Sequence, residues 1–183
     1  MDDNNASTHQ PVIETQYIIS VGKFALLSVL TFGLYNLWWT YKEWRFFQEK
    51  ENQDLAPAIR AIFGVVFLIP LFTRIKNFAK RSGYAKTFSP VAIYLCYLLV
   101  AIFAYLPIPL SLVGIFSFLI LITPFKALNY AKLQNPIYNA VEQGPFNGRQ
   151  ICLIVFGSIF WLVVLLSVYM MLTTTNTYHY QTY

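Results

Sequence analysis

The feature that most constrains this chain is an uncharged apolar run, Ile151–Leu172, near the end of the sequence. Its 22 residues include 14 Leu, Ile, Val and Phe. As an α-helix the run is about 33 Å long, which matches the roughly 30 Å hydrocarbon core of a bilayer. Its Leu, Ile, Val and Phe side chains together contribute roughly −4 to −8 kcal/mol to membrane insertion. The run therefore predicts a transmembrane helix.

The composition of the whole chain also favours a membrane protein. Of the 183 residues, 57% are hydrophobic and 11% are charged, whereas soluble domains carry about 25% charged residues. A soluble chain of this size could not bury so much apolar surface, because a small domain has a large exterior to cover. We therefore predict an all-α, multi-pass transmembrane helical fold.

Three further apolar runs approach the length of a membrane span. Val21–Tyr41 contains one charge, Lys23. The two shorter runs are separated by Pro107-Ile108-Pro109, which stops a helix and indicates a transmembrane hairpin. We expect a polar, disordered tail over 1–20, a transmembrane domain over 21–172 and a polar tail over 173–183. Within the domain we place four spans, at about 21–41, 89–106, 109–125 and 151–172.

Ala61–Thr73 is apolar but has only 13 residues, and Arg60 and Arg74 bracket it. A helix of that length reaches about 20 Å, so runs like this are more often re-entrant or interfacial than spanning. Pro70 removes a backbone donor and favours a kink. We expect residues 61–73 to dip into the inner leaflet without crossing, and residues Ile75, Phe78 and Ala79 to share one face of a short interfacial helix.

The positions of the basic residues favour this four-span arrangement. With four spans, 12 of the 13 Lys and Arg residues lie in the inner segments 42–89 and 126–150, and Lys23 alone lies outside. With a fifth span over 61–73, the orientation with the N-terminus inside places more Lys and Arg residues inside than the reverse one, but only nine of the 13. Because Lys and Arg next to short loops set the orientation, we predict both termini outside and the basic loops in the cytoplasm.

Two groups of side chains are candidates for contact with lipid. Basic residues around the predicted dip suit anionic headgroups, either by bidentate phosphate binding or simply by extending to the interface; they are Arg60, Arg74, Lys76, Lys80 and Arg81. Aromatic residues at the end of the first run are typical interface anchors; they are Tyr35, Trp38, Trp39, Tyr41 and Trp44. We interpret Gly33, inside that run, as allowing close helix packing.

The sequence contains no set of residues that identifies a reaction. His9 and His179 lie in the polar tails, and Cys96 and Cys152 lie in apolar runs, where we expect small buried hydrophobes. We therefore predict no enzyme activity, no cofactor and no metal site. We expect no nucleic-acid partner, because the basic residues flank membrane segments.

The stretch from Ser20 to Trp44 resembles a family of bacterial multi-pass membrane proteins of the DUF4234 type, which has a T-F-G-[LI]-Y-x-x-Y-W-x-Y-K-x-W signature. "RAIF" from Arg60 and "LFTRI" from Leu71 extend the resemblance. Nine positions match the signature, and Trp38 stands where Tyr is more common; the matches are Thr31, Phe32, Gly33, Leu34, Tyr35, Trp39, Tyr41, Lys42 and Trp44. The resemblance implies a bacterial inner-membrane protein and brings no known activity.

Two functions remain open at this point. The first is a structural or interaction component of the bacterial cytoplasmic membrane, which would engage anionic lipids, a membrane protein partner or a second copy of the chain. The alternative is a subunit of a small oligomeric transporter or channel. The uncharged interior of the predicted spans argues against a proton-coupled pump, because ionisable residues within membranes mark ion pathways.

Overall fold

The computed structural model describes residues 15–52, 56–107 and 110–180. The described chain is mostly helical, as predicted, and also contains two short strands that were not predicted. The strands are β1 (Gln16–Ile18) and β2 (Ala140–Glu142). The helices are α1 (Val21–Leu30), α2 (Leu34–Glu51), α3 (Pro57–Ile62), α4 (Gly64–Arg81), α5 (Pro90–Ile102), α6 (Phe118–Gln134) and α7 (Gly148–Tyr180).

Two helical segments are long and apolar enough to cross a membrane. One is Leu110–Gln134, in which a 3₁₀ segment, Leu110–Ser117, continues into α6; the other is the Gly148–Met171 part of α7. Two shorter apolar segments are α1 and Pro90–Tyr105, which is α5 with a 3₁₀ turn at its end. α7 contains the predicted span 151–172 and stays helical to Tyr180, so the helix continues into the predicted polar tail.

The chain reverses direction between α1 and α2. α1 ends in a Schellman motif, in which Gly33 N donates to Ser28 O and Phe32 N donates to Val29 O. Phe32 and Gly33 both adopt left-handed conformations, with φ of 52° and 85°. Gly33 therefore serves the turn; the nearest atom to a Cβ placed there would be Asn36 Nδ2 at 3.6 Å, so the predicted helix-packing role is not observed.

Contacts across this turn show that α1 and α2 form a helical hairpin. The Phe24 ring lies 5.9 Å from the Trp39 ring, although in one continuous helix these residues would be about 22 Å apart. Ser28 Oγ donates to Asn36 Oδ1 at 2.8 Å inside the hairpin. The structure thus has a hairpin where the sequence predicts a single helix over 21–41.

The tip of the hairpin packs against the middle of α7. Phe32 stacks on Trp161 at 4.6 Å between ring centroids, and Trp161 Nε1 donates to Val29 O at 3.0 Å. Gly157 allows the approach, because a Cβ there would lie 2.5 Å from Leu30 O. The tip of the α1–α2 hairpin therefore lies about three turns into α7.

The start of α1 lies at the same end of the molecule as the α6–α7 connection. β1 pairs in parallel with β2. Lys23 Nζ donates to Gln143 O at 2.9 Å, and Asn129 Nδ2 donates to Ile19 O at 3.3 Å. The start of α1 and the α6–α7 connection are therefore in direct contact.

The predicted dip over 61–73 falls on α3 and α4. α3 ends at Ile62, and α4 then runs without a break from Gly64 through Arg74 to Arg81, with Pro70 inside it. One face of α4 is buried; it consists of Leu68, Leu71, Phe72, Ile75, Phe78 and Ala79. Ile75, Phe78 and Ala79 therefore share a face, as predicted, but this face packs in the protein core rather than on the leaflet.

α5 and α7 expose much of their apolar surface. Gly114 packs closely on Ala104, where the Leu110–Ser117 segment meets the end of α5. Only 6% of the apolar window of α7 is buried within the protein. Cys96 on α5 and Cys152 on α7 are both exposed, so the expected burial of these thiols is not observed.

Candidate functional site

A cavity of about 960 Å³ lies between α2, the end of α6 and the start of α7. β1 and the connection from Glu142 to Asn147 close its other side. Its lining combines aromatic and aliphatic side chains with five charged ones, which are Lys42, Glu43, Lys132, Glu142 and Arg149. Clefts of this size, with apolar walls and a few polar groups, are typical ligand sites.

A buried ion pair lies at the base of the cavity. Lys132 Nζ on α6 lies 2.5 Å from Glu43 Oε2 on α2, and the two side chains are 4% and 5% exposed. Lys132 Nζ also donates to Gln16 Oε1 at 3.2 Å and lies 4.3 Å from the centre of the Phe46 ring. Three segments of the chain therefore meet on one ammonium group.

The start of α7 is fixed by a capping box at the rim of the cavity. Gln150 N donates to Asn147 Oδ1 at 2.9 Å, and Asn147 N donates to Gln150 Oε1 at 3.1 Å. The two side chains thus satisfy two backbone donors reciprocally. Gln143 Nε2 also donates to Gln150 Oε1, at 2.6 Å, which joins the connection to the helix. Arg149 is held at this rim, with its side chain exposed.

The cavity wall contains a buried polar atom without a partner. Trp39 lines the cavity and is 4% exposed. Its Nε1 has no hydrogen-bond partner among the described residues. A buried donor left unpaired costs about 1–3 kcal/mol, so a water molecule or ligand acceptor beside Trp39 would stabilise this wall.

The five predicted interface anchors occupy two different environments. Tyr35, Trp39 and Trp44 are 8%, 4% and 0% exposed and belong to the core, so they are not positioned to meet headgroups. Trp38 is 48% exposed, and Tyr41 is partly exposed and stacks near it, with ring centroids 5.4 Å apart. Of the five predicted anchors, Trp38 and Tyr41 are therefore the two with accessible ring surface.

The predicted headgroup-binding arginines are partly exposed and contact other side chains of the protein. Arg60 Cζ lies 4.6 Å from the centre of the Trp44 ring, and Arg74 Cζ lies 5.7 Å from it. Arg74 also forms an ion pair with Glu51. Lys50 precedes Glu51 on α2. Burial lowers the pKa of Lys50, and the charges of Arg81 and Arg74 lower it further.

The other three headgroup candidates are on the accessible side of α4. Lys76 is partly exposed, and Lys80 and Arg81 are exposed. They do not line the cavity. The structure therefore separates the five predicted basic residues into a packed pair and an outer set.

The described residues contain no cluster of three or more His, Cys, Asp or Glu side chains that could hold a metal ion. His9 lies outside the described residues, and the side chain of His179 is not described. No family model, curated protein or solved structure matches the chain. The resemblance to the DUF4234-type family therefore stays a prediction.

Sequence reasoning missed most of the cavity. The capping box had a local signal, since Asn followed three residues later by Gln before an apolar run is a helix start. The sequence contains no such signal for the Glu43–Lys132 pair, because the two residues lie in different predicted inner segments, 42–89 and 126–150. The cavity itself is made by segments that are distant in sequence.

Proposed function

We propose that the chain is an integral membrane protein that crosses the bilayer three times and acts as a lipid-interacting structural component of the membrane. The crossing segments are Pro90–Tyr105, Leu110–Gln134 and α7. The α1–α2 hairpin enters the bilayer and returns to the side from which it came. The role is interaction with lipid, or with a membrane partner, rather than catalysis.

The contact between Lys23 and the backbone of Gln143 is the observation that carries this proposal. Together with the β1–β2 pairing, it supports one side of the membrane for the N-terminal segment and the α6–α7 connection. Three crossings then leave the end of α7 on the opposite side. The four-span arrangement separates the two segments and would break these contacts.

The distribution of charge supports the same topology. None of the 13 Lys and Arg residues lies in the segments assigned to the outer side, which are 106–109 and the residues after the Gly148–Met171 part of α7. The four-span arrangement left Lys23 on the outer side. Since basic residues flank the cytoplasmic ends of spans, the end of the molecule that contains Lys23 and Arg149 is assigned to the cytoplasm, in a bacterial inner membrane.

Lipid contact is assigned to two surfaces at this basic end. Lys76, Lys80 and Arg81 lie on α4, away from its buried face, and each cation near an anionic leaflet is worth about 1 kcal/mol. Trp38 and Tyr41 supply the interfacial aromatic pair. Arg60 and Arg74 are assigned a structural role, because Trp44 and Glu51 already engage them.

Side-specific cysteine labelling tests this topology. In a Cys96→Ser/Cys152→Ser background, cysteines would replace Tyr17, Lys80 and Thr173 one at a time. An impermeant maleimide, applied to intact cells and to inside-out vesicles, should label positions 17 and 80 from the cytoplasmic side and position 173 from the other. Labelling of 17 and 173 from the same side would restore the four-span arrangement and overturn the proposal.

One observation favours the alternative, a subunit of a small oligomeric transporter or channel. Glu43 and Lys132 line the cavity as a buried ion pair, and buried ionisable groups in membrane proteins often mark ion pathways. Four or fewer crossings enclose little space, so this function requires a symmetric oligomer. Cross-linking in native membranes separates the two proposals, since a monomeric chain would exclude the transporter subunit.

A further inference from the structure

We propose that the cavity between α2 and the start of α7 binds one anionic phospholipid. The phosphate binds between Lys42 and Arg149, and an acyl chain extends along Trp38, Leu153 and Phe156. This inference rests on the proposed embedding of α7 in the bilayer, and it adds a single saturable site to the general lipid contact proposed above.

The size and shape of the cavity fit one lipid better than a free ion. Its volume of about 960 Å³ is at the upper end of the roughly 300–1,000 Å³ found for small-molecule sites. An ion or a free phosphate would leave most of this space and its apolar wall empty. A headgroup with the first part of an acyl chain fills both regions.

The apolar wall is accessible from the side where lipid would lie. Trp38, Leu153 and Phe156 line the cavity and are 48%, 40% and 73% exposed. Leu153 and Phe156 are three residues apart on α7 and therefore share one helix face. An acyl chain that enters laterally covers this face without leaving the apolar phase.

The charged side chains of the lining favour an anion. Glu43 and Lys132 neutralise each other, which leaves Lys42, Arg149 and Glu142 as the remaining charges, with a net charge of +1. Lys42 and Arg149 form no salt bridge with any described acid. The start of α7 adds its positive helix end, and an arginine fork binds phosphate oxygens in pairs.

Native mass spectrometry of the full chain, released from detergent with added phosphatidylglycerol or phosphatidylcholine, tests the site. The wild type should retain one phosphatidylglycerol per chain and little phosphatidylcholine. Lys42→Gln/Arg149→Gln should lower the retained fraction about tenfold, because charge-assisted hydrogen bonds to phosphate are lost. Lys86→Gln/Lys126→Gln removes the same charge from exposed positions outside the cavity and should retain the lipid.

Three results would overturn the inference: equal retention of the two lipids, no retained lipid in the wild type, or equal loss in both double variants. A second measurement does not depend on charge variants. Cys152 lines the cavity, whereas Cys96 does not. Bimane modification of Cys152 in Cys96→Ser should expel the lipid, and modification of Cys96 in Cys152→Ser should leave it bound.

Failure of this inference can be distinguished from failure of the proposed function. A chain that alkaline carbonate removes from membranes would contradict the membrane role and the cavity site together. A chain that stays in the membrane with the expected labelling pattern, but retains no phosphatidylglycerol, would overturn only the cavity site.

Discussion

Glu43 and Lys132 illustrate how one residue pair can connect distant parts of the chain. Each charge loses several kcal/mol of hydration on burial, and their attraction compensates only while both are present. We expect Lys132→Met to lower the free energy of unfolding by about 3–5 kcal/mol, because Glu43 would be left buried and uncompensated. Unfolding of the purified chain by SDS in mixed micelles measures this change.

A double-mutant cycle is the control for this pair. Glu43→Leu/Lys132→Met removes both charges and should cost less than the sum of the two single losses. Lys126→Met, on the same helix but exposed, should have little effect. Single losses that add within about 0.5 kcal/mol would mean that the two charges do not interact.

This pair also shows which functional residues the sequence could not reveal. Glu43 and Lys132 are 89 positions apart, and no periodic pattern links an acid in one predicted loop to a base in another. Lys42 and Trp38 were visible as members of a basic and an aromatic group, but their position beside Arg149 depends on the tertiary fold. The capping interaction of Asn147 with Gln150 could be predicted from the sequence, because the two residues are only three positions apart.

The helices were predictable where hydrophobic length alone decides the structure. α7 contains its predicted span, and Pro107 lies between the two arms of the predicted hairpin. α1 and α2 were not separable in this way. The break between them depends on Phe32 in a left-handed conformation, which a bulky residue rarely adopts. A helix usually ends with Gly at that position, whereas here Gly33 comes one residue later.

The packing of α1 on α7 depends on a single glycine. In Gly157→Ala, the new Cβ would lie 2.5 Å from Leu30 O and 2.9 Å from Leu30 Cβ, so the helices must separate. We expect a loss of about 1–3 kcal/mol in the free energy of unfolding, which is typical of overpacking. The same SDS titration measures it.

Gly22→Ala is the matched control for the glycine at the helix contact. Gly22 lies inside α1, and a Cβ there would meet no atom within 4 Å. Alanine should therefore be neutral or stabilise the helix by up to about 1 kcal/mol. Similar losses in Gly157→Ala and Gly22→Ala would show that α1 does not pack closely on α7.

Across the whole molecule, exposed apolar side chains fall into two environments under the proposed topology. Leu162 and Leu166 on α7 are 68% and 60% exposed and lie within the proposed crossing. Ile137 and Val141 are 65% and 45% exposed but lie at the basic end, where Val141 is in β2 and Ile137 shortly precedes it. Similar exposure therefore has opposite meanings, because one pair faces hydrocarbon and the other faces water or headgroups.

Arginine substitution at these two pairs tests the proposed position of the bilayer. Each Arg near the centre of a span costs about 2.5–3.5 kcal/mol, so Leu162→Arg/Leu166→Arg should cancel most of the insertion energy of α7 and remove the chain from carbonate-washed membranes. Ile137→Arg/Val141→Arg adds the same charge and should leave membrane retention unchanged. Since neither pair is buried in the protein, core packing cannot produce this difference. Equal retention of the two variants would mean that α7 does not lie in the bilayer.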